Sequence, residues 1–255
     1  MPHPKGAAPQ SPRDNLGFTP LELAQYLGQA LEQPLGARVG QPSIKVQFKG
    51  QSFAQALSME EFEKAFKLRY RHYLTFPSLA ALQAAIANCP YVLRCRWLTP
   101  ENYAWAELYK KELAAGSTAK IAIKWIDETL GYGAFVDEDL PAQAFVGEYT
   151  GLVRPLYRRH PDHNAYCLAY PMHIFARLFM HLFGGKYLAV DALKEGNVTR
   201  FINHSQRPNV QPLCLVDRGL LHQIFVTKRP LAKGTQLTYD YGQDYWINRQ
   251  RVGNE

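Results

Sequence analysis

The chain has 255 residues, of which 47% are hydrophobic and 20% are charged, and its formal net charge is +7 at pH 7. These values fit a soluble globular protein with one large or two modest domains. No apolar run reaches the roughly 18 residues that a bilayer-spanning helix needs. The start, Met1-Pro-His-Pro, lacks the basic and apolar regions of a cleavable secretory signal, so no membrane anchor or signal peptide is expected.

The first 116 residues are predicted to hold a tail and a mainly helical region. Residues 1–18 contain four prolines and few apolar side chains, which predicts a mobile tail. Residues 19–116 form the helical region, and two capping boxes open helices in it. The first box begins at Thr19 and predicts a helix over 19–31. The second box begins at Ser58, and apolar side chains follow it at helical spacing as far as Tyr73.

The rest of this region supplies weaker signals. Alternating apolar and polar residues predict a strand at 43–48, and helices are predicted at 78–87 and 99–115.

From Lys120 onward the pattern changes to short apolar segments separated by turn residues, which predicts small β-sheets. Gly184-Gly185 marks a hairpin between two apolar runs. The stretch at 172–183 is ambiguous between strand and helix. The predicted strands are 121–126, 134–136, 144–153, 165–170, 187–190, 211–216, 223–226 and 236–239.

The four cysteines, Cys89, Cys95, Cys167 and Cys214, form no Cys-x-x-Cys pair, and none lies at zinc-ligand spacing from another Cys or a His. They are predicted to be reduced, mostly buried thiols of an intracellular protein. No metal site is expected.

Two segments carry the strongest functional signal. Residues 196–209 place Asn203, His204 and Ser205 side by side before Arg-Pro forces an extended exit. Together these side chains supply the donors and acceptors that could grip the edge of a heteroaromatic ligand, although a hydrogen-bonded turn would explain them equally. Residues 237–246 group aromatic side chains around Gly242 and contain little apolar sequence that would mark them as core.

These segments resemble the SET domain family of protein lysine methyltransferases. The family's Arg-Phe-Ile/Val-Asn-His-Ser and Asp-Tyr-Gly blocks stand at 200–205 and 240–242, and its Gly-x-Gly-x-Phe and Gly-Glu-Tyr-x-Gly blocks stand at 131–135 and 147–151. The resemblance covers roughly 119–247. The cysteine-rich zinc modules of many histone-directed members have no counterpart in the sequence, and Gln206 stands where many members have a cysteine.

The resemblance implies an α+β fold class. A mostly β SET fold of small sheets would occupy 117–255 and end in a short C-terminal helix, with the helical region before it. The Asp-Tyr-Gly segment would thread under the Asn-His-Ser loop and form a C-terminal pseudoknot, a topology that is rare among folds.

The resemblance also implies the site residues. Tyr241 would be the catalytic tyrosine, Tyr166 a tyrosine of the lysine channel, and Tyr239 the residue that sets how many methyl groups are added. Glu148 and Asp191 are expected to be structural, with carboxylates that accept backbone donors. The residues implied to bind S-adenosylmethionine are Gly131, Tyr132, Gly133, Arg200, Phe201, Asn203, His204, Tyr241 and Trp246.

Plainer explanations stay open for several of these residues. The segment 131–133 could be a simple β-turn, Trp246 an anchor for the C-terminal helix, and Tyr241 a core tyrosine. A phenol with a pKa near 10 is a poor base at neutral pH, so Tyr241 is given an orienting and electrostatic role. His204 is expected to be a structural or adenine-binding residue rather than a general base.

The implied function is that of an S-adenosylmethionine-dependent protein lysine N-methyltransferase that mono- or dimethylates a histone lysine. A nonhistone protein lysine is the alternative target, and a noncatalytic SET module that binds a peptide is the alternative function. The expected location is the nucleus or chromatin, in a host cell if the protein is a secreted bacterial effector, with the cytoplasm as the alternative. The target lysine and the oligomeric state do not follow from the sequence.

The positive charge adds a weak attraction to nucleic acid or another acidic partner. A short basic cluster, Arg154, Arg158, Arg159 and His160, could contribute to it or form an ordinary solvated face.

Overall fold

A computed structural model describes residues 43–94, 100–157, 164–170, 186–217, 220–242 and 245. Several predictions lie outside these residues: the tail at 1–18, the helix at 19–31, the stretch at 172–183, the Gly184-Gly185 hairpin, the C-terminal helix and Trp246. Within the described part of the chain, no helix is both long and apolar enough to cross a membrane.

The helices and strands alternate irregularly along the chain. In chain order they are β1 (Ile44–Gln47), β2 (Gln55–Leu57), α1 (Met59–Phe66), β3 (Arg69–Tyr70), α2 (Leu79–Arg94), α3 (Pro100–Leu108), α4 (Lys110–Ala114), β4 (Ile121–Asp127), β5 (Gly131–Val136), β6 (Phe145–Glu148), β7 (Leu152–Tyr157), β8 (Cys167–Ala169), β9 (Lys186–Asp191), β10 (Glu195–Gly196), a 3-10 helix (Val198–Phe201), β11 (Asn203–His204), β12 (Val210–Asp217), β13 (Leu220–Thr227) and β14 (Thr238–Tyr239).

Helix α1 starts where the sequence predicts it and ends earlier. The Ser58 hydroxyl accepts a hydrogen bond from the Glu61 N–H, and the Glu61 carboxylate accepts one from the Ser58 N–H, which confirms the capping box. The helix stops at Phe66 because Lys67 takes the left-handed conformation with φ 49°. The prediction that apolar spacing continues the helix to Tyr73 is therefore wrong, and strand β3 lies there instead.

Two other predicted elements divide into two. The predicted helix at 99–115 is the pair α3 and α4, interrupted at Tyr109. The predicted strand at 144–153 is the pair β6 and β7, which are separated by residues 149–151. The chain passes the Asp191 backbone there so closely that a Cβ on Gly151 would lie 2.4 Å from the Asp191 carbonyl oxygen. The other predicted strands and the helix at 78–87 are confirmed to within a few residues at their starts, and α2 continues to Arg94.

The strands form small sheets, as the sequence predicts for a mostly β domain. Their orders are β2-β1-β4-β5, β12-β13-β6 and β7-β9-β8, with the two-stranded pairs β10-β3 and β11-β14. Strand β1 pairs in parallel with β4, so the first sheet joins residues on both sides of the predicted boundary at 116. The region predicted to be mainly helical thus also contributes strands to the same sheet as the β-rich half.

The C-terminal segment lies against the Asn-His-Ser loop through the parallel pairing of β11 with β14. Asn209 extends this pairing with its side chain, because its Oδ1 accepts from the Thr238 N–H at 2.9 Å and its Nδ2 donates to the Gln236 carbonyl at 2.7 Å. The Asn209 N–H also donates to the Thr238 carbonyl at 3.1 Å. Two segments that are distant in sequence are thereby joined edge to edge.

Two apolar clusters hold the sheets together. In the larger cluster the fully buried Phe62 of α1 packs its ring 4.8 Å from Phe66 and 6.3 Å from Phe201 of the 3-10 helix. In the smaller cluster α3 and α4 cover the β12-β13-β6 sheet, where Tyr109 and Leu113 are packed among its apolar side chains. The helices thus close two different sheet faces.

A buried ion pair joins β6 to β13. Glu148 is 3% exposed, His222 is 6% exposed, and Glu148 Oε1 lies 2.7 Å from His222 Nδ1. Burial by itself lowers the pKa of His222, but the charge and hydrogen bond of Glu148, with Asp217 nearby, raise that pKa above its ordinary value overall. The expectation that the Glu148 carboxylate accepts backbone donors is wrong; its backbone carbonyl does the accepting, from the side chains of Asn197 and Thr199.

The Glu148–His222 ion pair makes the free energy of unfolding depend on pH. The folded-state pKa of His222 is above the unfolded value of about 6.5. The stabilisation that the ion pair adds to the free energy of unfolding is therefore complete below about pH 6.5 and is lost as the pH rises through the folded-state pKa. We expect the difference in free energy of unfolding between the unmodified protein and His222→Gln to shrink from about pH 6 to about pH 9 in urea titrations. His72→Gln, at a half-buried histidine beside the Gly116 carbonyl, is the control. A difference that grows with pH would mean that His222 is neutral in the folded protein.

Candidate active site

Four aromatic rings form a continuous cluster around strand β14. Phe225 lies 4.8 Å from Tyr239, Tyr239 lies 4.6 Å from Tyr241, and Tyr241 lies 4.5 Å from Tyr245, all between ring centroids. Tyr239 is buried and Tyr241 is half-buried. The structure therefore brings the two predicted tyrosines of the C-terminal block into direct contact.

Two phenol hydroxyls tie this cluster to neighbouring segments. The Tyr241 hydroxyl donates to the Ile202 carbonyl at 2.9 Å, next to the Asn-His pair. The Tyr149 hydroxyl donates to the Tyr166 carbonyl at 2.8 Å, and the Tyr149 ring lies 6.2 Å from Phe225. Tyr149 thus connects the predicted channel residue Tyr166 to the aromatic cluster.

The phenols of the cluster resist deprotonation. Burial raises the pKa of Tyr239, Tyr241 and Tyr149 well above the ordinary value, and neighbouring phenols raise each of them further. At Tyr149 the Arg200 charge acts in the opposite direction without reversing the result. All three phenols are protonated at neutral pH, so they can donate hydrogen bonds and cannot act as general bases.

Tyr166 is covered by a cation. The Arg200 guanidinium carbon lies 3.7 Å from the Tyr166 ring centroid, and Arg200 Nη1 donates to the Leu193 carbonyl at 3.0 Å. Arg200 Nε is buried and has no hydrogen-bond acceptor among the described residues. Arg200 therefore lies beside a predicted catalytic tyrosine, and its predicted contact with the cofactor stays a prediction.

The glycine segment meets Asn203. Gly131 has φ +68°, and apart from its chain neighbours no atom of the described residues lies within 4 Å of the place where its Cβ would be. A Cβ on Gly133 would lie 2.6 Å from Ile126 Cδ1 and 3.2 Å from Asn203 Nδ2, so a larger residue here would push these side-chain ends aside. Asn203 Nδ2 also donates a long hydrogen bond, 3.4 Å, to the Tyr132 carbonyl. The segment is the start of strand β5 rather than an isolated turn.

His204 connects the loop to the C-terminal block. Its Nδ1 accepts the Tyr241 N–H at 3.2 Å and lies 3.8 Å from Asp240 Oδ1. With Nδ1 as an acceptor, the neutral ring carries its proton on Nε2. This geometry fits the structural role predicted for His204 and gives no support to a general base.

Phe201 lies in the core. It is 5% exposed and packs 5.0 Å from the Phe66 ring in the larger core cluster, and its predicted contact with the cofactor stays a prediction. The 3-10 helix directs Phe201 into the core and leaves Arg200 on the side of Tyr166. The predicted cofactor residue Tyr132 is half-buried, with its ring 5.2 Å from Trp125.

Three residues near the site were not assigned from the sequence. Tyr149 stands in the Gly-Glu-Tyr-x-Gly block and Tyr245 in the aromatic segment at 237–246, so both were visible there without a role. Gln236 carried no signal. A Cβ on Gly133 would lie 3.1 Å from Gln236 Nε2, and that buried nitrogen has no hydrogen-bond partner among the described residues.

The described cysteines contribute no metal site. Cys167 and Cys214, predicted to be mostly buried, are half-buried. Across the ranges that the structure describes, no three His, Cys, Asp or Glu residues are grouped as metal ligands would be.

Comparison with known proteins places this geometry in a family. Residues 131–242 match the family model described as the SET domain. This segment is a SET domain. The solved structure of ATXR5 in complex with histone H3.1 has a similar fold, with a TM-score of 0.55 and 20% identity, covering 72% of this chain and 85% of that one. The α+β fold class of small sheets is thereby confirmed.

Curated relatives match about half of this chain. The H3 lysine-36 specific histone-lysine N-methyltransferase of Schizosaccharomyces pombe is 35% identical over 130 residues, which cover 49% of this chain and 15% of that protein. The inactive histone-lysine N-methyltransferase 2E of Mus musculus is 32% identical over 115 residues, covering 45% of this chain and 6% of that protein. The matched part of the chain thus corresponds to a small share of each relative.

The raised tyrosine pKa values can be measured directly. Since Tyr239 and Tyr241 stay protonated where an exposed tyrosine ionises, we expect Tyr239→Phe and Tyr241→Phe to leave the ultraviolet tyrosinate titration of the folded protein unchanged up to about pH 11. The difference between each variant and the unmodified protein should appear only on alkaline unfolding. A variant that lowers the absorbance change with a midpoint near pH 10 would show that its phenol is ordinary.

Proposed function

We propose that this chain is a protein lysine N-methyltransferase that uses S-adenosylmethionine. The observation that carries the proposal is the junction of β11 with β14, which brings Asn203 and His204 beside Tyr239 and Tyr241 inside a SET domain. One end of this junction meets the glycine segment at Gly133, and the other meets the aromatic cluster. Two ligands could therefore be held at opposite ends of one site.

The residues at the glycine end fit the cofactor. Among the described residues, the space at Gly131 leaves room for a ligand against the backbone, and the side-chain amides of Asn203 and Gln236 converge on Gly133. The buried Gln236 Nε2 needs an acceptor, which a polar cofactor offers. When bound there, S-adenosylmethionine would supply a methyl group on a positively charged sulfonium. Gly131, Gly133, Asn203 and His204 would hold it.

The tyrosine cluster affects the protonation state of the substrate lysine amine. A lysine in water has a pKa near 10.4, so at pH 7 about one amine in 2,500 is neutral, a cost of roughly 4.6 kcal/mol. A lysine held beside the aromatic cluster of Phe225, Tyr239 and Tyr241 would lose water from its ammonium, which lowers its pKa. The Tyr241 hydroxyl donates to the Ile202 carbonyl and restrains this part of the site, and positioning lowers the barrier further.

A histone lysine is the proposed target. The support is that relatives of the SET domain are named histone-lysine N-methyltransferases and that ATXR5 is seen in complex with histone H3.1. A nonhistone protein lysine is the alternative, since this chain spans 15% or less of the two curated relatives described above. A histone target implies a nuclear, chromatin-associated location, and the net charge of +7 favours approach to acidic chromatin.

A noncatalytic peptide-binding SET module is the second candidate, favoured by the similarity to a relative named inactive. One experiment separates the two candidates: incubation with methyl-labelled S-adenosylmethionine, a histone panel and cell extract, followed by mass spectrometry of the labelled lysine. Label on a histone lysine is the expected result, and label on another protein would favour the nonhistone target. Peptide binding without any label would contradict the proposed enzyme.

Asn203 gives a test of the cofactor end. Loss of its hydrogen bonds costs about 1 kcal/mol or more, so we expect Asn203→Ala to weaken S-adenosylmethionine binding at least about fivefold by calorimetry. Gln55→Ala, which removes an exposed amide from β2, is the control and should leave the affinity unchanged. An Asn203→Ala protein that is folded and binds the cofactor normally would remove Asn203 from the cofactor site.

Tyr239 gives a test of the product. A phenol there can hydrogen-bond the amine or hold a water in the space that a methylated amine needs. Each later round loses a hydrogen bond of about 1 kcal/mol and slows roughly fivefold, so monomethyl-lysine should dominate, with some dimethyl-lysine. Tyr239→Phe should shift the product toward dimethyl- and trimethyl-lysine, whereas Tyr241→Phe should abolish most turnover. Abundant trimethyl-lysine from the unmodified protein, measured by mass spectrometry, would sink this expectation.

A further inference from the structure

A network of half-buried polar groups lies behind Tyr166, and Asp191 is at its centre. Asp191 Oδ1 accepts from Asn164 Nδ2 at 2.7 Å and from the Leu193 N–H at 2.9 Å, and its Oδ2 accepts from Arg154 Nε at 2.5 Å. The Asp191 side chain is 15% exposed. Three donors from three segments therefore fix one carboxylate at the end of β9. The contact with the Leu193 N–H also confirms the predicted acceptance of a backbone donor.

This network reaches Tyr166 by two routes. Asn164 Oδ1 accepts the Tyr166 N–H at 2.9 Å, so Asn164 bridges Asp191 to the Tyr166 backbone. Leu193, whose N–H is bound by Asp191, accepts Arg200 Nη1 through its carbonyl, and the Arg200 guanidinium covers the Tyr166 ring. The backbone and the ring of Tyr166 are thus both restrained by groups that depend on Asp191.

The remaining hydrogen bonds of Tyr166 also link it to residues near Asp191 and to the aromatic cluster. Its carbonyl accepts the Tyr149 hydroxyl and the N–H of Ala192, the residue after Asp191. Among the described residues, neither Gly133 nor Asn203 at the glycine end shares a hydrogen bond with Asp191, Leu193 or Tyr166. A shift of Asp191 would therefore be transmitted to the tyrosine side of the site and would leave the glycine side in place.

We infer that Asp191 is a positioning residue that sets the placement of Tyr166 and, through it, the fit of the peptide substrate. The inference rests on the proposed methyl transfer, because it assigns Tyr166 to the substrate end of that reaction. Catalytic groups require support from the residues behind them, since a misplacement of about 1 Å can reduce the rate by about a hundredfold. Asp191 provides that support from outside the substrate channel.

The first test replaces the carboxylate by an amide of the same shape. Asp191→Asn keeps one acceptor oxygen but sets an N–H against Arg154 Nε. We expect kcat/KM for the peptide to fall about tenfold, while the calorimetric Kd for S-adenosylmethionine changes less than about twofold. Asp137→Asn is the matched control, because Asp137 is 18% exposed and loses ion pairs to Lys45 and Lys233 on the first sheet. The control should leave kcat/KM within about twofold.

The second test asks whether Asn164 is the link. If Asp191 acts on Tyr166 through Asn164, the effects of Asp191→Ala and Asn164→Ala on kcat/KM will not multiply in the double variant. Effects that multiply would contradict that route.

The first test can also overturn the inference. A kcat/KM loss in Asp191→Asn no larger than in Asp137→Asn, or an equal loss of cofactor affinity, would do so.

A spectroscopic readout keeps the inference testable without turnover. Near-ultraviolet circular dichroism of Tyr166→Phe defines the signal that Tyr166 contributes in the folded protein. We expect Asp191→Asn to lose that signal and Asp137→Asn to retain it; retention in Asp191→Asn would contradict the inference. An unmodified protein that transfers no methyl group would contradict the proposed function, and this spectrum would then decide the role of Asp191 alone.

Discussion

The side chain of Asn209 is the interaction on which the site depends. It acts as an extra strand residue, accepting from the Thr238 N–H and donating to the Gln236 carbonyl, and it is 5% exposed. Its amide supplies one donor and one acceptor in fixed geometry, which suits the edge of a strand and is expensive to leave unpaired when buried. This clamp lets β14 lie parallel to β11, although the pairing itself is only two residues long. Without it, the motif blocks at 200–205 and 240–242 would be joined by the short pairing and by the contacts of Tyr241 with Ile202 and His204.

The chemistry follows from where this pairing puts the tyrosines. Tyr239 and Tyr241 are drawn into a desolvated cluster with Phe225, and desolvation keeps their phenols protonated. The same desolvation would lower the pKa of a substrate lysine, because the charged form of lysine is the protonated one. One physical condition therefore explains both the neutral phenols and the proposed neutral nucleophile. The polar residues Asn203 and His204 lie on the other side of the junction, where His204 Nδ1 accepts the Tyr241 N–H.

Motif blocks and local signals predicted much of this arrangement, and long-range packing set the rest. The capping box at Ser58 is a local code, so the start of α1 could be predicted, whereas its end depends on the left-handed Lys67. The SET blocks predicted that Asn203, His204 and Tyr241 meet. They could not show that Phe201 faces the core, because neighbouring residues of a 3-10 helix point in different directions. The Glu148–His222 pair and the Asp191 network depend on strand register and on contacts between distant segments, which carry no signature in a single sequence.

Native-state hydrogen exchange of Asn209→Ala tests the central claim most directly. If Asn209 clamps the junction, the amides of Thr238 and of Ser205, which donates to the Tyr239 carbonyl, should exchange at least about tenfold faster than in the unmodified protein. The Tyr149 amide, which donates to the Gln223 carbonyl in another sheet, should keep its protection. Asn209→Asp, which retains the acceptor for Thr238 and loses the donor, should give an intermediate result. Unchanged protection at Thr238 and Ser205, or an equal loss of protection at Tyr149, would contradict the account.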